Sequence, residues 1–279
     1  LFEGRHHDAA ALAECVAGDS AVSHAVSFCH ALEKIYKVPV PVRGRYIRAI
    51  CLELERLYNH ANDIGGIAVD VGFTFPSAFC AIIKETVQSL NRELFNLRFL
   101  KGVVCCGGVT GDIDDERMRL LGKTLKAVRR DLGELKDMLF SSVSFIDRVD
   151  TTGILRRKTA EDLGVTGVAA RASGLHVDLR KDFGDIYEIA RFRIAQESSG
   201  DVLARLRVRI SEFEESMRLI DEFAHNMPSG PVRAEGFSPQ AGCALGYTEG
   251  WRGAVLYWIE TDPSGAIDGC KGVVPSFLN

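Results

Sequence analysis

Apolar residues recur at alternating steps of three and four along four long segments of the chain. This spacing places the apolar side chains on one face of an α-helix and is typical of helices that pack against neighbouring helices. The four segments therefore predict an antiparallel bundle of long helices. The apolar positions, segment by segment, are Ile47, Ile50, Leu54, Leu57, Ala61 and Ile64; Phe79, Ile83, Val87, Leu90, Leu94 and Leu97; Met118, Leu121, Leu125, Val128, Leu132, Leu135 and Leu139; and Leu203, Leu206, Ile210, Phe213, Met217, Ile220 and Ala224.

Residues suited to helix ends flank these segments. Acidic residues within 112–116 precede the third segment, where carboxylates favour the positive end of a helix dipole. Residues 198–201 form a cap-like cluster before the fourth segment, and Pro228 follows its end. A further helix is predicted over Val22–Tyr36, because Pro39 then breaks the chain before the bundle begins.

The composition changes after Pro231, where glycines become frequent. The apolar run Ala254–Ile259 predicts a buried strand, and Gly269–Val274 predicts a second one. Residues Asp262–Gly265 have good turn chemistry for joining the two strands as a hairpin. We therefore expect a small β element at the C-terminal end of the chain.

These elements together predict a mainly α fold, a long-helix bundle with a small C-terminal β element. We expect a single domain over residues 1–279, with the bundle over 1–230 and the β element over 231–279. Residues 150–185 are predicted to form a folded excursion inserted into the bundle. The chain starts at Leu1 without an initiator methionine, so we expect a piece of a longer chain.

Composition narrows the classes of partner and cofactor. Apolar residues make up 46% of the chain and charged residues 26%, which is the profile of a globular protein with a sizeable core. The net charge of -4 and the absence of a basic tract argue against nucleic acid as a partner. No run of about 18 apolar residues exists, so we expect no direct membrane span. The eight cysteines lack C-x-x-C spacing, which favours reduced thiols and no metal within this chain.

Several stretches resemble one protein family. Arg48–Asp70, RAICLELERLYNHANDIGGIAVD, is similar to the family's first bundle helix, and Thr166–Lys181, TGVAARASGLHVDLRK, to its excursion. His225–Gly230 resembles the end of its last long helix, and Tyr247–Gly250 and Pro275–Phe277 add matches in the tail. The family comprises the large subunits of nickel-iron hydrogenases, especially the energy-converting membrane-bound ones, and the quinone-site subunit of respiratory complex I.

The resemblance raises the question of whether this chain can hold nickel. Hydrogenases hold nickel and iron with two C-x-x-C pairs, because soft thiolate sulfur suits these ions. The first pair lies just before a histidine that corresponds to His24, so its positions here are Ala17 and Ser20, neither of which is a thiol. Cys15 is out of register, and we expect it to be a half-buried, unreactive thiol. The second pair would lie beyond Asn279, and we expect no metal site in this chain.

Without nickel, the complex I branch implies that the cavity receives a quinone headgroup beside a [4Fe-4S] cluster held by a partner subunit. The candidate quinone-cavity residues are His24, Phe28 and Asp70. Phe28 corresponds to the family's quinone-binding tyrosine without its hydroxyl, and His24 either replaces this donor or is a helix cap or satisfied core histidine. Asp70 matches an aspartate that orients a donor histidine on an N-terminal hairpin, which this chain does not contain.

Two further sets of charged residues have family counterparts. Arg98 matches an arginine near the cluster face, or it is an ordinary helix-dipole partner, while Leu100 stands where the family has a histidine. Glu53 and His60 match a proton or redox-coupling path, or with Arg56 they form a solvated or ion-paired helix face. The charged residues of the excursion are expected to be salt-bridged structural or interface groups: Arg171, Asp178, Arg180 and Lys181.

The resemblance thus implies an NADH dehydrogenase-type electron-transfer subunit that is active only within a multisubunit complex. It would dock a small iron-sulfur subunit and other subunits, use quinone as the acceptor, and bind no cofactor itself. We expect it in the cytoplasm, peripheral to the inner membrane through its partners. Two alternatives stay open: the large subunit of a membrane-bound nickel-iron hydrogenase, and a catalytically silent scaffold, for which Phe28 and Leu100 argue.

Overall fold

The computed structural model describes residues 2–182, 186–236 and 238–278. The four predicted bundle helices are confirmed, and so is the additional N-terminal helix. Leu97 lies outside the second bundle helix, because Asn96 adopts a left-handed conformation with φ +60° that ends it. The long helices are α1, Ala21–Tyr36; α2, Val42–Asp70; α3, Thr74–Phe95; α4, Asp115–Ser141; and α5, Val202–Asn226.

Short elements connect the long helices. Three short helices lie in the described part of the excursion, and the last three residues of its predicted range, 183–185, lie outside the described residues. The short helices are a 3-10 turn at His7–Ala9, then Ala10–Ala13, Val143–Val149, Arg157–Asp162, Gly167–Ala172, Leu179–Asp182, Ile186–Ile189 and Pro275–Leu278. A two-stranded ribbon pairs Val104–Cys105 with Gly108–Val109.

Helix α2 is the centre of the bundle, packed against α3 on one side and α5 on the other, while α4 packs against α3. Every residue from Tyr46 to Ala61 is buried. A helix surrounded in this way has no solvent-facing side for its polar residues. Each buried polar group on α2 therefore needs a partner inside the protein, since an unpaired one is costly.

The ends of α4 and α5 follow the capping chemistry expected from the sequence. The Asp114 carboxylate accepts a hydrogen bond from the Arg117 backbone N–H at 2.9 Å. The Asp201 carboxylate accepts one from the Ala204 N–H at 2.7 Å. Both carboxylates satisfy amides that the first helical turn leaves without partners.

The C-terminal part is a three-stranded antiparallel sheet of β1, Gly242–Gly250; β2, Gly253–Thr261; and β3, Ile267–Val273. The predicted hairpin joins β2 to β3, and its Asp262 carboxylate accepts hydrogen bonds from two turn amides. Strand β1 was not expected, because its glycines suggest turns. In the structure, Gly246 lets the strand lie directly on α1: a Cβ there would be 2.0 Å from the Ser27 carbonyl oxygen.

Candidate functional site

An aromatic group of side chains lies where α1 faces the sheet. His24 and Phe28, one helical turn apart on α1, are both fully buried. His24 Nδ1 is 2.8 Å from the Tyr257 hydroxyl oxygen, and the Tyr257 ring meets Phe28 edge-on at 5.7 Å between centroids. The Phe2 ring packs on the Phe28 ring, with 5.4 Å between the two ring centroids. We call Phe2, His24, Phe28 and Tyr257 the His24 cluster, and it contains two of the three predicted quinone-cavity residues.

The His24 ring is only half satisfied. Burial lowers the pKa of His24 to about 4, against the opposing effect of Asp19, so the imidazole is neutral at pH 7. Its Nδ1 is bonded to Tyr257, while its Nε2 is buried and has no hydrogen-bond partner among the described residues. Buried polar atoms are rarely left in this state. The Nε2 atom is therefore the one polar position in the cluster that a ligand atom would satisfy.

The other two predicted site residues lie elsewhere. Asp70 is the exposed last residue of α2. It follows Glu55, which touches the first turn of α1, by 15 residues, or about 22 Å along the helix axis. Arg98 is 39% exposed and its guanidinium bonds the Glu85 carboxylate at 2.7 and 2.5 Å. The structure does not bring either residue to the His24 cluster, and their roles remain predictions.

The segment before α1 does not fit a nickel centre. The positions of the first thiolate pair hold Ala17 and Ser20, which carry a methyl group and a hydroxyl. Cys15 is exposed rather than half-buried as expected, because it lies in the turn that follows Ala10–Ala13. Across residues 2–182, 186–236 and 238–278, no group of three or more His, Cys, Asp or Glu side chains is arranged to hold a metal ion.

Glu55 caps α1 from the neighbouring helix. Its carboxylate accepts hydrogen bonds from the Val22 N–H at 2.7 Å, from the Ser23 N–H at 3.1 Å and from the Ser23 hydroxyl. These groups form the positive end of α1, one residue before His24. Burial raises the pKa of Glu55 to about 7, although the hydrogen bonds to its charged form oppose this shift. The cap therefore titrates near neutral pH.

Substituting Glu55 by glutamine is expected to remove a pH-dependent part of the stability. A carboxyl whose pKa is raised on folding favours the folded state fully below its ordinary pKa of 4.5 and loses that advantage as pH rises through about 7. Relative to the parent chain, Glu55→Gln should therefore gain stability between pH 4.5 and 7, by on the order of 3 kcal/mol. Urea unfolding of both proteins across this range measures it, and a constant difference would contradict the pKa assignment.

A second polar centre is built around α2. We call it the buried ion cluster, and at least nine-tenths of each side chain is hidden from solvent. It combines residues of α2, the excursion, α5 and β1, so it joins the bundle to the sheet. Its members are Glu53, Arg56, His60, Arg171, Asp178, Arg180, Glu212 and Glu249.

Glu212 is the bridging carboxylate of the cluster. It accepts hydrogen bonds from Arg56, from Arg171 Nε at 2.6 Å and from His60 Nε2 at 3.0 Å. Burial alone would raise the pKa of Glu212, but the guanidinium groups of Arg171 and Arg56 outweigh it and hold the pKa well below its usual range. Burial lowers the pKa of His60, so this ring is neutral and donates to the carboxylate. Glu212 is thus a permanent anion.

Glu53 organises the other side of the cluster. Its two oxygens lie 3.2 Å from Arg180 Nη1, and they also accept from the Tyr187 hydroxyl at 2.8 Å and the Ser216 hydroxyl at 2.5 Å. Asp178 binds the other terminal nitrogen of Arg180 at 2.8 Å. The predicted ion-paired state of the α2 face is therefore confirmed, and its solvated alternative is wrong because α2 is enclosed.

Glu249 differs from the other carboxylates. It accepts from Arg171 Nη1 at 2.8 Å, but burial and the nearby Asp178 carboxylate raise its pKa. The cluster holds three guanidinium groups and four carboxyl groups, so a protonated Glu249 leaves it neutral. Of the excursion residues predicted to be salt-bridged, Arg171, Asp178 and Arg180 are confirmed, whereas Lys181 is exposed.

Three central residues were not identified from the sequence. Glu212 lies beside the apolar seam of α5, on a second buried stripe with Val208 and Leu219. The sequence shows this stripe as helical steps of four and seven residues, but it does not show which groups pair with a carboxylate on the stripe. Tyr257 lies within the predicted apolar strand and Glu55 within the family-like stretch Arg48–Asp70, and neither position carries a local signal of its role.

Comparisons with known proteins place this geometry in a family. Residues 70–240 match the family described as the 49 Kd subunit of respiratory-chain NADH dehydrogenase. NADH-quinone oxidoreductase subunit 4 of Thermus thermophilus is 30% identical over 286 residues, covering 92% of this chain and 70% of that protein. The carbon monoxide-induced hydrogenase of Rhodospirillum rubrum is 31% identical, with coverages of 92% and 72%.

A solved structure shows the same fold over the entire chain. It is that of the membrane-bound sulfane sulfur reductase, an archaeal respiratory membrane complex. One of its chains superposes with a TM-score of 0.93 at 26% identity, covering 100% of this chain and 78% of that one. The family match covers more than half of the chain, and the fold agrees with it throughout. The chain therefore belongs to the 49 Kd subunit family of respiratory-chain NADH dehydrogenases.

Proposed function

We propose that this chain forms one wall of the acceptor-reduction site of a respiratory redox complex, with quinone as the acceptor and His24 as its hydrogen-bond donor. The names of the relatives support the reaction class. The observation that carries the proposal is the buried Nε2 of His24, which has no partner among the described residues. A single polar donor inside an aromatic enclosure suits a ring with carbonyl oxygens.

Tyr257 sets the chemistry of this donor. When its hydroxyl donates to His24 Nδ1, the imidazole proton resides on Nε2, the ring nitrogen that is not bonded to Tyr257. In this tautomer Nε2 donates to a quinone oxygen without any change in net charge. Phe28 supplies an apolar surface for the quinone ring, and movement of Phe2 away from Phe28 would admit it. The edge-on rings of Phe28 and Tyr257 would help to keep water away from the acceptor.

Electrons come from outside this chain in this proposal. A partner small subunit would hold a [4Fe-4S] cluster, and that cluster supplies single electrons when bound. The residues of this chain bind and orient the acceptor and keep the site dry. Asp70 is exposed and Arg98 is partly exposed, so segments of partner chains can reach both, and we retain them as candidates for the quinone cavity and the cluster-facing surface.

Attachment to the membrane would also be indirect. No helix in the described parts of the chain is both long enough and apolar enough to cross a bilayer. We propose a peripheral position on the cytoplasmic side of the inner membrane, held by partner subunits. The chain should copurify with the membrane fraction, and deletion of the partner subunits should abolish this copurification.

Substituting His24 by phenylalanine in the assembled complex is expected to lower kcat/KM for quinone reduction by about 10- to 100-fold, because one buried hydrogen bond to the acceptor is lost. His176 provides a matched control: it is exposed, bonds Gln196 at 3.1 Å, and its replacement by phenylalanine should leave the rate unchanged. Asp70→Asn is measured in parallel. Unchanged quinone reduction in both His24→Phe and Asp70→Asn would support the catalytically silent scaffold instead.

A second acceptor class is favoured by one comparison. The membrane-bound sulfane sulfur reductase matches this chain along its whole length, and Phe28 lacks the hydroxyl that would help to bind a quinone. Polysulfide and a soluble quinone analogue, offered separately to the same preparation, distinguish the two acceptors. Metal analysis addresses the hydrogenase alternative, since stoichiometric nickel held by this chain would contradict both proposals.

A further inference from the structure

Glu55 is a fully buried carboxyl group without a positively charged partner in the parts of the chain that the structure describes. The carboxyl groups of the buried ion cluster differ from it, since each lies against at least one arginine. The partners of Glu55 are the Val22 and Ser23 amides and the Ser23 hydroxyl. An ionised Glu55 is therefore balanced only by the positive end of α1.

The segment before α1 does not supply this cap itself. Ser20 occupies the N-cap position of α1, but its hydroxyl donates to the Asp19 carboxylate at 3.0 Å and not to the helix. A neutral serine is sufficient to cap a helix, so capping alone does not explain why an ionisable group is buried here. Asn59, one turn after Glu55 on α2, holds the same segment through the Asp19 carbonyl oxygen at 2.6 Å. Helix α2 thus clamps the start of α1.

The clamp lies directly before the proposed acceptor site. His24 follows Ser23 and belongs to the first turn of α1, and its buried Nε2 has no partner among the described residues. In the proposed function, negative charge develops on the acceptor that this nitrogen binds. The positive end of α1 stabilises such charge, and in a dry interior solvent does not screen the interaction. An ionised Glu55 and a reduced acceptor would then compete for one helix end.

The other charged and titratable neighbours of Glu55 are paired or neutral. The Asp19 carboxylate pairs with Arg252 at 2.8 Å. Burial raises the pKa of Tyr58 well above its usual range, and the Glu55 and Asp19 carboxyl groups add to this effect. Burial likewise raises the pKa of the Cys51 thiol. Glu55, with a pKa raised by burial to about 7, is the group of this set whose charge changes near neutral pH.

We propose that Glu55 is a positioning residue of the acceptor site: it holds the first turn of α1 in place for His24, and its charge sets how well the site stabilises a reduced acceptor. This inference rests on the proposed function of His24. Neutral Glu55 leaves the positive helix end free for the acceptor, and ionised Glu55 cancels it. Glu55 gives no proton to the acceptor. The site should favour reduction below about pH 7 and lose this advantage as the pH rises.

The pH dependence of quinone reduction by the assembled complex tests the inference. The parent and Glu55→Gln proteins are assayed with a soluble quinone analogue from about pH 6 to about pH 8, on either side of the pKa of Glu55. Glutamine keeps the shape of the side chain but cannot ionise. We expect kcat/KM of the variant relative to the parent to rise about 3- to 10-fold across this range, the size of a helix-dipole interaction. The ratio cancels the pH dependence of the protons that the quinone consumes.

Ser23→Ala supplies a readout that a purely structural cap would not change. The Ser23 hydroxyl bonds the ionised carboxylate, so its removal should move the fall in rate to higher pH, while the two amide hydrogen bonds remain. Glu214→Gln is the control: this exposed carboxylate on α5 pairs with Lys136, and its loss should leave the pH profile unchanged.

The outcomes separate this inference from the proposed function. If His24→Phe lowers the rate while the ratio of Glu55→Gln to parent stays constant with pH, Glu55 is a structural cap and this inference alone is overturned. An unmoved profile in Ser23→Ala overturns it in the same way. If His24→Phe leaves quinone reduction unchanged, the proposed function and this inference fail together.

Discussion

Replacing Glu212 by alanine is expected to lower the free energy of unfolding by about 3 to 5 kcal/mol, a large part of the roughly 5 to 15 kcal/mol that stabilises a typical protein. The substitution leaves Arg56 and Arg171 buried without their shared carboxylate and removes the acceptor of His60. The cost arises mainly from the uncompensated charges rather than from the lost attraction. Chemical denaturation followed by circular dichroism measures the change.

Glu214 is a matched control on the same helix. It forms an ion pair with Lys136 at 2.6 Å, but it is 47% exposed. Solvent and salt screen such a pair, so Glu214→Ala should cost less than about 1 kcal/mol. Comparable losses for Glu212→Ala and Glu214→Ala would show that burial of the ion cluster does not determine its energetic importance.

Replacing Gly246 by alanine is expected to be the second large effect, a loss of about 3 kcal/mol with partial separation of the sheet from α1. The added Cβ would be 2.0 Å from the Ser27 carbonyl oxygen and 2.6 Å from the Ala31 nitrogen. Both are backbone atoms of α1, so no side-chain rotation relieves the overlap. Thermal unfolding, and the fluorescence of Trp258 in β2, report the change.

Gly133→Ala serves as the control for Gly246→Ala. Gly133 is an exposed residue within α4, and a Cβ there meets no atom within 4 Å. Alanine has the higher helix propensity, so this substitution should stabilise the protein by about 0.5 to 1 kcal/mol. No stability loss in Gly246→Ala would contradict the contact between β1 and α1, and a loss in Gly133→Ala would contradict the helix-propensity argument for the control.

Local patterns were sufficient for most of the fold. Each bundle helix carries its own periodic seam, and Asp114 and Asp201 mark two helix starts where the structure has them. Strand β1 was missed, because the reason for Gly246 lies in α1, more than 200 residues earlier in the chain. A glycine chosen for a close approach between distant segments has the same local signature as a glycine in a turn.

The candidate site was predictable only in part. The resemblance to the family led to His24 and Phe28, which do meet, whereas the position of Tyr257 against both follows from packing of the sheet. The buried ion cluster shows the same limit: Glu53 and His60 were candidates, but their state depends on Glu212, over 150 residues away. A sequence shows which residues are charged, and the tertiary structure decides whether water reaches them.

The composition of the buried ion cluster also constrains the order of assembly during synthesis. Arg56 leaves the ribosome well before Glu212, and Glu249 follows still later. Until Glu212 has emerged, α2 and the excursion cannot close around Arg56 and Arg171 without stranding positive charge in a dry interior. Arg171 also lacks its second acceptor until Glu249 follows. The nascent chain must therefore keep this region open and hydrated, and contacts of such long sequence separation form slowly. Final closure of the core is expected only after translation has passed residue 249.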